Sequence, residues 1–173
     1  MIENTDHCLV CENSKKDFKT GTYCGITNEK PKFINKCSSK IFGKTLEQKI
    51  KDVNKAIKLV EITKGKTTLH VITYLSFSIM ILIADYIITN YIWKLGWMSS
   101  VTLTIGAVGL GMIPMAIAPL NKYNRTIKLA REDKIKLDEL LSVYNMSYDI
   151  EVIAKEGPHD IVDVETNLKI YTK

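Results

Sequence analysis

Charge is nearly missing from the middle of this chain: between Thr67 and Asn121 only Asp85 and Lys94 carry it. That absence argues against a solvated surface helix on either side of Lys94, and the length argues against a soluble core helix. One uncharged stretch runs from Thr67 to Ala84 and continues through Asp85 to Trp93, and a second runs from Leu95 to Asn121. Each reaches the roughly 20 residues that a helix needs to cross a bilayer core of about 30 Å. Enzyme signatures are also missing. There is no G-x-S-x-G, no phosphate-cradling glycine loop and no H-E-x-x-H, and the histidines, His7, His70 and His159, fall in three separate segments. No catalytic residue is assigned, and the chain reads as non-enzymatic. An apolar leader is missing too, because Met1 to Lys40 is polar, so the first apolar block is expected to act as an uncleaved membrane signal. The lysines are not interleaved with stacking aromatics, so no nucleic acid is expected as a partner. Internal repeats and low-complexity tails are lacking, and cysteine does not recur after Cys37.

What is present predicts a mainly α membrane fold: a two-span antiparallel helical hairpin with cytoplasmic helical extensions, an N-terminal zinc-ribbon-like module of four cysteines and a small C-terminal β element. The boundaries read as 1–43 for the cysteine module, 44–66 for an amphipathic helix and 67–93 for the first span. A turn follows at 94–97, the second span at 98–120, a further cytoplasmic helix at 121–146 and short strands at 147–173. Lys49, Lys51, Lys55, Lys58, Lys64 and Lys66 precede the first span, and Lys122, Arg125, Lys128, Arg131, Lys134 and Lys136 follow the second. Only Lys94 lies between them, so both termini are expected in the cytoplasm and the turn in the other compartment. The net charge of +5 is largely this topological signal, with attraction to anionic head groups at about 1 kcal/mol per well-placed basic residue.

Local patterns refine the elements. Thr45 and Gln48 have capping-box spacing, and Leu46, Ile50, Val53, Ile57 and Val60 then recur every four and three residues as a coiled-coil-like stripe. A break or bend is expected at Gly65, with Thr67 or Thr68 restarting the helix. Ile127, Ala130, Leu137, Leu141 and Tyr144 form a second stripe able to meet the first. From Ser147 the period becomes two: Tyr148, Ile150, Val152 and Ala154, then Val162, Val164, Leu168 and Ile170. This predicts two or three short strands, with turn formers at Gly157 and Pro158 and a turn at Thr166 and Asn167. So small a sheet must pack on the cysteine module, on the helical extension or on another chain.

The cysteines are spaced C-x2-C-x12-C-x12-C, at Cys8, Cys11, Cys24 and Cys37. A tetrahedral site needs four convergent sulfurs, and a two-residue spacer lets one tight turn present two of them. In a reducing compartment, structural zinc is preferred over disulfides. An iron site, redox thiols or free structural cysteines are the alternatives, and His7 is a possible substitute ligand. Turn formers at Gly21, Gly25, Asn28, Pro31 and Gly43 suggest an irregular segment without helix. The string Cys8, Cys11, Asn13, Phe18, Gly21, Cys24, Thr27, Lys30, Pro31, Phe33, Cys37 resembles a cysteine-rich N-terminal module found on many small proteins of Bacteroidota, often ahead of one or two membrane spans. It covers about the first 40 residues. The resemblance implies a shared cysteine site and a bacterial inner-membrane setting, and it carries no reaction with it.

Inside the spans, Asp85 is the sharpest candidate, because a carboxyl group in hydrocarbon costs several kcal/mol and usually faces a partner, water or an ion path. Aligning the hairpin from its turn sets Asp85 opposite Thr102, Thr104 and Gly106, where a hydroxyl can satisfy it. Gly106, Gly109 and Gly111 allow close helix approach, and Pro114 and Pro119 are expected to kink the second span. Tyr91, Trp93 and Trp97 read as an interfacial belt. Together these features suggest an accessory or scaffolding subunit of a larger membrane complex, in contact with lipid and with other subunits or its own copies. The alternatives are a small homo-oligomeric channel or transporter using Asp85, and a membrane-tethered thiol redox or metal sensor.

Overall fold

The computed structural model describes residues 3–19, 21–92, 100–156 and 162–172. Helix α1 (Asn4–Leu9) opens the chain, where no helix was expected, with the Glu3 N–H donating to Asp6 Oδ2 at 2.9 Å as its cap. Strands β1 (Ser14–Asp17) and β2 (Gly21–Cys24) pair antiparallel, with Ser14 opposite Cys24 and Asp17 opposite Gly21. The left-handed φ of +84° at Gly21 suits a residue without a side chain. Helix α2 (Lys44–Ile87) runs into a π-helical segment (Ile88–Ile92), and helix α3 (Ser100–Val143) follows. Strands β3 (Met146–Glu156) and β4 (Val162–Thr172) form an antiparallel hairpin. The predicted turn at 94–97, with Trp93 and Trp97, lies outside the described residues, as do Gly157, Pro158 and His159.

The chain divides into two compact units, Met1–Leu59 with Lys128–Lys173, and Val60–Ile127, and α2 and α3 contribute to both. The core of the first joins Leu46, Ile50 and Val53 of α2 to Leu137, Leu140 and Leu141 of α3, with Val10 and Tyr144 completing it. Both helical stripes are therefore half-cores. Met146, Tyr148, Ile150, Leu168 and Ile170 on one face of the hairpin pack against this cluster. The Tyr148 hydroxyl donates to Asp138 Oδ1 at 2.8 Å and accepts from Asn54 Nδ2 at 3.4 Å, which ties the hairpin to both helices.

Three local expectations change. Thr166 and Asn167 do not turn the chain: they sit within β4, opposite Val152 and Glu151, because cross-strand pairing and a continuous apolar face outweigh the turn preference of asparagine. Helix α2 passes through Gly65, whose missing side chain costs some helix propensity but does not end an element of this length. Its first turn is capped from outside the helix. Glu12 Oε1 accepts the Thr45 N–H at 2.7 Å, and a Cβ on Gly43 would lie only 2.8 Å from that oxygen. A carboxylate at a helix N-terminus satisfies a free donor and complements the helix dipole, so it does the work assigned to Thr45 and Gln48.

The second unit has its polarity inverted. Its buried residues include Ser78 (1% exposed), Thr89 (3%), Asp85 (8%) and Ala116, whereas Leu69, Met80, Leu103 and Leu110 are each more than half exposed. Ser78 Oγ donates to the Gly109 carbonyl at 2.7 Å, and the Thr89 and Thr102 hydroxyls meet at 3.1 Å. These pairs descend one helix as they climb the other, so the two pack antiparallel. A Cβ on Gly109 would come within 2.9 Å of Leu82 Cδ2, which makes Gly109 a point of close approach. Both α2, extended to Tyr91, and α3 contain windows long and apolar enough to cross a membrane, and only 11% of each window is buried.

Candidate functional site

The four cysteines come from separate pieces of local structure and line one cavity of about 240 Å³. Cys8 lies buried on the last turn of α1, and the Cys11 N–H returns to its carbonyl at 3.2 Å. The Ile41 N–H donates to Cys11 Sγ at 3.5 Å. Cys24 ends β2, where its carbonyl accepts the Asn28 N–H at 2.8 Å in a tight turn that uses a left-handed Asn28 (φ +57°). Within that turn the N–H groups of Thr27 and Ile26 bond to the Cys24 sulfur and hold its thiol below the ordinary value. Cys37 is fixed through its backbone N–H, which donates to the Tyr144 hydroxyl at 3.1 Å.

Burial and neighbouring charge act on the groups around this cavity. Burial pushes the Cys8 thiol up, and repulsion from Cys11, Cys37 and Cys24 pushes it further. Burial likewise raises Tyr144, the hydrogen bond from the Cys37 backbone N–H opposes it, and the charges of Cys37, Cys11 and Cys8 add to the rise. His7 Nδ1 lies 2.8 Å from the Tyr144 hydroxyl, and its ring meets Phe33 and Tyr144 edge-on. Burial lowers His7, with Asp6 opposing. Lys40 Nζ stands 3.9 Å over the Tyr144 ring, and Lys30, Lys32 and Lys36 share the cavity wall with it.

The sulfurs share the cavity without closing on a point. Among the described residues, no set of three or more His, Cys, Asp or Glu side chains is arranged to hold a metal ion. The chemistry of the donors nonetheless fits a soft divalent cation: four thiols repel one another as they ionise, and a cation between them removes that repulsion. Asn13 lines the same cavity and buries its Nδ2 with no hydrogen-bond partner, a donor suited to a metal-bound thiolate. The lysines suit the negative charge that four thiolates around a divalent ion would leave.

In the second unit, Asp85, Thr102 and Gly106 line one cavity of about 560 Å³ with Thr89 and Asn90. Asp85 Oδ2 lies 3.6 Å from where a Gly106 Cβ would stand, and Asp85 Oδ1 is buried without a hydrogen-bond partner. The hydroxyl expected to satisfy Asp85 is engaged elsewhere: Thr102 meets Thr89, and Thr104 is exposed and donates to its own helix at the Ser100 carbonyl, 2.8 Å away. Gly106 and Gly109 face α2, whereas a Cβ on Gly111 would stand in open space. Helix α3 continues through Pro114 and Pro119. Tyr91 is exposed, and His70 stacks at a tilt on Tyr74 with centroids 4.3 Å apart.

Set against known protein families, curated proteins and solved structures, the chain matches none. The resemblance of the cysteine string to the Bacteroidota modules therefore rests on its own residues. Sequence reasoning missed Glu12, Ser78 and Thr89 as structural partners and placed Tyr144 only on a stripe. Ser78, Asp85 and Thr89, spaced seven and four apart on an otherwise apolar helix, were the available signal for a polar inner face.

Proposed function

We propose that this chain is a non-enzymatic accessory or scaffolding subunit of a bacterial inner-membrane complex. Two spans anchor it, both termini face the cytoplasm, and zinc held by Cys8, Cys11, Cys24 and Cys37 staples its cytoplasmic interaction module. The observation that supports the membrane part is the inversion of Val60–Ile127, where small and polar side chains lie inside and large apolar ones outside. Water opposes that arrangement, whereas lipid favours it. The zinc part is supported by four thiols lining one cavity beside an unsatisfied Asn13 donor and a lysine rim. When bound, zinc supplies cross-linking and no chemistry. Gentle detergent extraction followed by copurification and mass determination tests the scaffold reading: stable partner subunits are expected, and a lone monomer overturns it. Metal analysis tests the centre. One zinc per chain is expected, and Cys24→Ser is expected to lose it and unfold Met1–Leu59, since structural zinc contributes on the order of 10 kcal/mol to such modules. A metal-free wild type with an intact fold removes the centre.

The unsatisfied Asp85 oxygen favours one second reading, a homo-oligomeric channel or transporter lined by Asp85 and Thr102. Ion flux in reconstituted vesicles that Asp85→Asn leaves unchanged excludes it.

A further inference from the structure

We propose that the cavity beside Asp85 is a binding site for a lipophilic amine, a molecule with one N–H-bearing amine or ammonium on an apolar body. Three observations converge on that class. Asp85 is more than nine-tenths buried, and its Oδ1, an acceptor, has no partner among the described residues. An acceptor left unpaired away from water is costly, and a donor on a ligand recovers that cost. The second observation is the character of the remaining polar wall. Asn90 gives one Nδ2 hydrogen to the Tyr86 carbonyl at 2.9 Å and keeps its side-chain oxygen as an acceptor, and the Thr89 and Thr102 hydroxyls meet each other. The group left buried and unsatisfied in this wall is therefore the Asp85 acceptor, which selects for a ligand that donates.

The third observation is size and lining. About 560 Å³ falls in the range of sites for small organic molecules, and Leu82, Leu103, Ala107 and Leu110 supply an apolar wall. No lysine, arginine or histidine is among the described lining residues. A zwitterionic aminophospholipid would bring a phosphate with no cation to receive it, so the cavity favours a simple amine over a lipid head group. An anion is excluded by the same reasoning. This inference stands on Asp85 and its cavity and does not depend on the scaffold reading.

Octylamine is the probe, with octanol and octanoate as controls of the same chain length, titrated calorimetrically into the full chain in lipid nanodiscs. Saturable octylamine binding is expected for the wild type, weakened at least about tenfold by Asp85→Asn, or roughly 1.4 kcal/mol. Ala107→Trp, which fills the cavity and leaves Asp85 in place, is expected to abolish binding at unchanged helical circular dichroism. Asp85→Glu is expected to keep part of it. Equal binding by wild type and Asp85→Asn overturns the proposal, as does octanoate or octanol binding as tightly as octylamine. Displacement of octylamine by an equal concentration of phosphatidylethanolamine, or a wild-type site closed by a second copy of the chain, overturns it too.

Discussion

Single side chains carry unusual weight in the Met1–Leu59 and Lys128–Lys173 unit, and two tyrosines set its limits. Tyr144 receives the Cys37 N–H on one side and meets His7 on the other, so one hydroxyl braces the wall of the cysteine cavity. Tyr148 locks the hairpin to Asp138 and Asn54. Its phenol is pushed up to about 12, first by burial, then by the Asp138 carboxylate that its proton serves, with the Asn54 bond pulling the other way. A tyrosine raised in the folded state above its unfolded value of about 10 stabilises the fold while protonated. The unfolded chain releases that proton first, so the contribution is complete below about pH 10 and is lost as pH rises toward 12. Thermal melting of wild type against Tyr148→Phe reads this directly. The variant is expected to lose roughly 1 kcal/mol at neutral pH and to fall less steeply between pH 10 and 12. Parallel pH profiles would show that the tyrosine does not titrate with folding.

Among the elements, what was legible in the sequence was what repeats along one chain segment. The two long helices, the stripes at Leu46, Ile50 and Val53 and at Leu137, Leu141 and Tyr144, and the alternation of Tyr148, Ile150 and Ile170 were readable because period and burial coincide there. What depends on a distant partner was not readable. Glu12 caps α2 across 33 positions, and the extended pairing of β4 overrides the turn preference at Thr166 and Asn167. At the candidate sites, the four cysteines line one cavity without the convergence on a point that their spacing suggested, and Thr104 did not join Asp85, because its hydroxyl returns to its own helix. The crossing at Gly109 yields a test at this scale. Gly109→Leu puts carbon where Leu82 already stands, and the pair is expected to lose about 1–3 kcal/mol or separate. Ser78→Ala, which removes only the hydrogen bond to the Gly109 carbonyl, is expected to cost about 0.6 kcal/mol. Steric trapping or denaturant titration in micelles measures both. Equal losses would mean that the hydrogen bond, and not the close approach, holds these helices together.

As a whole molecule, the chain builds one unit from its two ends and the other from its middle. Because Val10 sits in the same core as Leu141, damage near the C-terminus should reach the N-terminal strands. Leu141→Ala is expected to cost roughly 2–5 kcal/mol and to raise amide hydrogen exchange at Cys24, whose N–H bonds to the Glu29 carbonyl, together with exchange in α3. Unchanged protection at Cys24 would mean that residues 3–43 fold by themselves. The His7 to Tyr144 bond joins positions 137 residues apart, and that separation has a consequence for biosynthesis. At ribosomal speeds of about 5–20 residues per second, the first-made cysteines wait on the order of ten seconds before the tyrosine that braces them is translated. The bracing of the thiol cavity by Tyr144 is thus a late event in synthesis, and a nascent chain stalled before that residue holds its four thiols without this support.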